Sequence, residues 1–90
     1  MLDRGLPGAD LVEAGLRDLA RGDETEAALL VSIGAPRLGR LGFDVSRALG
    51  DPEHRLYELL SASDSDSAHS RYNALIRRLV SFERAAECVR

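Results

Sequence analysis

In the stretch "AHSRYNALIRRLV", residues 68 to 80, the side chains of His69, Ser70, Arg71, Tyr72 and Asn73 stand consecutively, and all five are types that active sites use. On a helix, His69, Tyr72 and Asn73 lie at i, i+3 and i+4 and form one polar cluster. An imidazole that titrates near neutrality could act there as a general acid or base, or the cluster could line a small-ligand pocket. Nucleophilic catalysis needs a hydroxyl or thiol beside a base that a third group orients, and no Ser, Asp or Cys stands at a spacing that completes such an arrangement. No catalytic residue is therefore assigned, and the chain reads as non-enzymatic. The expectation for the cluster is a semi-buried, hydrogen-bonded feature that fixes how its helix docks on its neighbours.

His54 and Glu58 form a His-x-x-x-Glu pair, half of a metal site, which His69 could in principle join. Zinc asks for three or four ligands with an oriented outer shell, and only two are local here. Asp64 and Asp66 in "SDSDS" have the acid spacing of calcium loops but lack the glycine and the bidentate glutamate. Neither metal nor cofactor is expected. Arg71, Arg77, Arg78 and Arg84 give the last helix a basic surface that could meet nucleic-acid phosphates. Against that stand a net charge of −3, the absence of Lys, and a poor aromatic complement of two Tyr and two Phe. A helix-turn-helix turning at Gly34 would make "PRLGRLG" its reading helix, which is too short and too glycine-rich.

Ninety residues, 44% hydrophobic and 30% charged, make one globular domain, residues 1–90, with no room for a second core. All twelve basic residues are Arg, so ion pairs here are set by the planar guanidinium fork. A lone Cys88 excludes an internal disulfide and fits a reducing compartment. "MLDRGLPGADL" lacks a signal-peptide pattern, and the run "AALLV" is too short to cross a bilayer. The expectation is a cytoplasmic protein with no membrane contact.

The elements that must position these residues read as helices. Residues 1–9, with Gly5, Pro7 and Gly8, form a loose lead-in. Asp10 and Glu13 suggest a capping box opening a helix over 10–21 that stops at Gly22, with Leu11, Val12, Gly15, Leu16 and Leu19 on one side. Asp23 and Glu26 repeat the pattern for a helix over 24–33, apolar nearly all round and hence buried. Pro36 opens a short turn over 36–41. Residues 42–50 carry no clear signal. Asp51 as cap and Pro52 at the first position open a helix over 52–62, with Leu56, Leu59 and Leu60 inward and Tyr57 at the edge. "SASDSDS" is a polar linker whose Asp64, Ser65 or Asp66 caps a final helix over 66–88. The architecture is all-α: a compact bundle of about four helices with a long amphipathic C-terminal one.

That last helix carries the strongest periodicity. Ala68, Tyr72, Leu75, Leu79, Phe82, Ala86 and Val89 alternate steps of four and three, with Ile76 and Val80 widening the stripe on one flank. Two stripes suggest two partners, one within the chain and one outside it. The functional expectation is a small interaction module that forms a homodimer or docks another protein, with Tyr72, Ile76, Leu79, Val80 and Phe82 at the interface. Arg78 and Glu83 have the spacing of a cross-helix pair between parallel copies. A nucleic-acid regulator using the Arg face is the alternative.

Overall fold

Helix α2, Glu26–Ile33, has apolar side chains on every side, and Ala28 to Ser32 are buried without a break. A helix with no polar face must be enclosed by other elements. In the computed structural model, which describes residues 5–89, α1 (Ala9–Arg21), α3 (Ala35–Arg40), α4 (Pro52–Ser63) and α5 (Ala68–Cys88) all pack against α2. α5 also packs on α1 and α4. No strand occurs among the described residues. The fold is the all-α bundle that the sequence predicts, with α2 at its centre and α5, 21 residues long, as its longest helix. At 1.5 Å per residue it runs about 32 Å, most of the 38 Å long axis of the molecule.

The tightest contact joins α1 to α2 at Gly15. A methyl group built on Gly15 would lie 2.3 Å from the Ala27 carbonyl oxygen and 2.7 Å from a Val31 methyl. Glycine in mid-helix costs about 1 kcal/mol against alanine; here the missing side chain lets the two backbones close on each other. Val12 and Leu19 flank the contact and are fully or almost fully buried.

The turn chemistry differs from the sequence expectation in instructive ways. The expected loose lead-in falls partly on residues 1–4, which lie outside the described residues. Of the rest, Gly8 is packed against α5 and a methyl group there would meet the Arg78 carbonyl oxygen at 2.7 Å. Gly8, with φ 75°, holds the N-cap position of α1, and Asp10 lies inside the first turn instead of capping it. Thr25, not Asp23, caps α2: its hydroxyl accepts from the Ala28 N–H at 3.1 Å and donates to Asp18 at 2.7 Å. Asp23 is already committed to closing α1, its N–H donating to the Asp18 carbonyl at 2.9 Å. Asp51 does hold the α4 cap position, but its side chain makes no cap bond. Ser67 holds that of α5, and Asp64 instead accepts from the Asp66 N–H at 3.1 Å in the linker.

Residues 42–50, silent in the sequence, form a lid on the core. Phe43, Val45 and Leu49 turn inward, and the Phe43 ring packs on Phe82 with centroids 5.6 Å apart. The lid is pinned by buried Ser32, whose hydroxyl donates to the Ala28 carbonyl at 2.8 Å and accepts from the Leu49 N–H at 2.9 Å. On α4, Leu56 and Leu60 are fully buried but Leu59, expected inward, is 38% exposed. Leu56 and Leu60 share one row at i, i+4; Leu59 falls to its outer side, away from α2 and α5.

Candidate functional site

The apolar flank of α5 runs beside the junction of α2 and α3. Ile33, Gly34 and Pro36 form one wall, Ile76, Leu79 and Val80 the other, with Arg37, Arg40 and Glu83 completing the lining. The concavity measures about 250 Å³. Ile76 and Val80 keep part of their surface in solvent, whereas Leu79 is buried. At Gly34 the α5 side chains come in close. A methyl group on it would lie 2.9 Å from Glu83 Oε2 and 3.2 Å from both Leu79 methyl carbons.

Glu83 is 4% exposed, the one buried acidic side chain among the described residues. Arg37 approaches it at 3.5 Å, but donates its better hydrogen bond, 2.6 Å from Nε, to Glu87 at the surface. Burial pushes the Glu83 carboxyl above its ordinary value, while Arg37 pulls the other way. The hydrogen bond from Arg37 moves Glu87 in the opposite direction, below the ordinary value. A raised carboxyl in a concavity is a general-acid signature. No Ser, Cys, His or Tyr stands in the lining of the groove. The arrangement holds α3 against α5 and gives the groove an apolar floor with charged edges.

The residues expected to form sites are distributed differently. Of the expected cluster, His69 is exposed while Tyr72 and Asn73 are half-buried, and Asn73 meets His69 at 3.2 Å. Tyr72 turns away from that pair to Tyr57 of α4, ring centroids 5.9 Å apart, and burial raises its phenol above the ordinary value. His54 and Glu58 pair with each other at 3.1 Å, both exposed. No group of three or more His, Cys, Asp or Glu among the described residues is placed to hold a metal ion.

The expected basic surface of α5 is two surfaces. Arg71 pairs with Glu26 at 3.5 Å and donates to the Ser63 hydroxyl at 2.8 Å, and Arg78 pairs with Asp10 at 3.1 Å. Both therefore serve the contact of α5 with α1, α2 and α4. Arg77 and Arg84 are exposed beside Val80, at i−3 and i+4 from it. Arg78 and Glu83 also lose their expected role as a cross-copy pair, since Asp10 and Arg37 engage them within the chain. Of the expected interface residues, Phe82 is fully buried in the chain's own core and is not available to a partner. Tyr72, Ile76 and Val80 retain accessible surface, with Leu79 beneath them.

Arg37, and the pairing of Glu83 within the chain, were missed in the sequence, yet a signal was there. Ile76, Leu79, Val80 and Glu83 follow one another at helical spacing, and a carboxylate continuing an apolar row asks for a buried cation.

No helix among the described residues is long and apolar enough to cross a membrane. Comparison of the chain with protein-family models, with curated proteins and with solved structures finds no match in any of the three.

Proposed function

We propose that the protein is a non-enzymatic interaction module that binds another polypeptide through the groove between the α2–α3 junction and α5. The supporting observation is the half-exposed pair Ile76 and Val80, which share the lining of one depression with Ile33, Gly34 and Pro36. Its volume, about 250 Å³, falls below the roughly 300–1,000 Å³ of ordinary small-molecule sites. It suits one or two apolar side chains presented by a partner. A second copy of the chain is one such partner; a homodimer would meet through Tyr72, Ile76 and Val80. The exposed free thiol of Cys88 suits a reducing compartment, and we place the module in the cytoplasm.

Val80→Asp tests the surface, because it charges the groove wall without entering the core that Leu79 and Phe82 fill. The expected result is an unchanged helical spectrum and melting curve, with self-association in light scattering, or capture of a partner protein, abolished. Association that survives Val80→Asp unchanged would place the binding surface elsewhere.

A further inference from the structure

The groove is basic at its edges on a chain that is acidic as a whole. Arg37 and Arg40 line it on the α3 side; Arg77 and Arg84 lie outside that lining, exposed on α5 at i−3 and i+4 from Val80. Arg37 is paired with Glu87 and Glu83, so the positive charge this face offers a partner is that of exposed Arg77 and Arg84, on a chain that carries −3 in all. The remaining surface is correspondingly more negative than the total.

We infer that the occupant of the groove is an acidic amphipathic helix of another protein, its apolar side chains seated over Ile76, Leu79 and Val80 and its carboxylates against the rim arginines. The inference rests on the proposed interaction function and names the partner's chemistry. Two copies of this face brought together by a two-fold axis would set like charges against each other, which disfavours a symmetric dimer through it. Pairing the basic face of one copy with the acidic surface of the next would be head-to-tail and would generate open chains. A bare polyanion has no use for the apolar floor. An amphipathic helix carries both parts, apolar anchors at i, i+3, i+4 and i+7 and acidic flanks, in the geometry a helix-lined groove accepts.

The test uses three labelled synthetic helical peptides titrated with the full chain in fluorescence anisotropy. One has a leucine stripe flanked by glutamates, one has the same stripe flanked by lysines, and one has the glutamates with serines in place of the leucines. Each exposed rim contact is weak, but several reversed together should separate the first two peptides by about tenfold. The glutamate–leucine peptide should bind most tightly, weaken as salt rises, lose binding to the Val80→Asp chain, and weaken toward a chain carrying Arg77→Ala and Arg84→Ala. Equal or tighter binding of the lysine peptide would overturn the inference. So would a serine peptide, a DNA duplex or an anionic vesicle that binds as tightly and is insensitive to Val80→Asp. If none of the peptides binds while Val80→Asp abolishes self-association, the interaction surface stands and its occupant is a second copy.

Discussion

Gly15 and Gly34 each occupy a place where a side chain would collide, and the neighbours they admit are opposite in kind. Gly15 faces the backbone of α2, with the Ala27 carbonyl and a Val31 methyl closing the space completely. Gly34 faces the ends of two side chains, the Glu83 carboxylate and the Leu79 methyls, beside an open groove. The first contact is mainly with backbone atoms. The second is adjustable and ends in solvent. The first region holds two helices together, and the second is where we propose that a partner docks.

The sharpest way to break the first region is Gly15→Ala. Its methyl would meet a carbonyl that cannot move without moving α2, so α1 and α2 must separate. The gain in helix propensity, about 1 kcal/mol, offsets only part of the overpacking, and a net loss of about 2–3 kcal/mol is expected in denaturant unfolding. Gly34→Ala should behave differently. Gly34 has φ −85°, which alanine adopts freely, and the atoms in the way are flexible side-chain ends. Its stability should stay within about 1 kcal/mol of the wild type, since the smaller entropy of the unfolded chain compensates. A Gly34→Ala chain as damaged as Gly15→Ala would erase the distinction between the two regions.

A pH series sharpens it further. Glu83 is held above its ordinary value by burial. In the window between the ordinary and the raised value the folded chain binds more protons than the unfolded one, so this group makes stability fall as pH rises. Glu87 is held below its ordinary value and contributes the opposite slope, with stability lost as pH falls. Glu83→Gln removes the first slope and leaves the second. Melting temperatures from about pH 4 to about pH 8 should show the variant equal to or above the wild type at the neutral end. The difference should shrink toward the acid end. A variant clearly less stable at neutral pH would mean that Arg37 fully compensates the buried carboxylate.

The smallest effect belongs to the residues that look most like chemistry. His69→Ala and Asn73→Ala remove one exposed contact, and each should shift stability by less than about 0.5 kcal/mol. Ligand-free melting curves of the two variants check this. A loss of 1 kcal/mol or more would show that the pair supports the α4–α5 packing.

How legible each region was in the sequence follows the same division. The helices were readable to within about two residues because their periodicity, prolines and terminal glycines act locally. The caps were less so. Asp10, Asp23 and Ser65 are all competent to cap, but helix packing set where each turn begins, and Thr25 and Gly8 took the positions that fit. The lid at residues 42–50 was silent because its order comes from Ser32 and Phe82, distant in sequence. The candidate site was half visible: Ile76 and Val80 stood out as a second stripe, whereas Arg37 and the concavity did not.

The sequence by itself determined the helical class, the buried central α2 and the long amphipathic α5, since each depends on the pattern of neighbours three or four residues apart. Only the tertiary structure decided which arginines remain exposed and that Phe82 belongs to the core. It also decided that Glu83 sits under Arg37, that Gly34 lies beside a groove and that Gly15 lies in a closed seam. Those outcomes depend on which surface arrives opposite a residue, and a contact between positions 37 and 83 or 15 and 27 leaves no local periodicity to read.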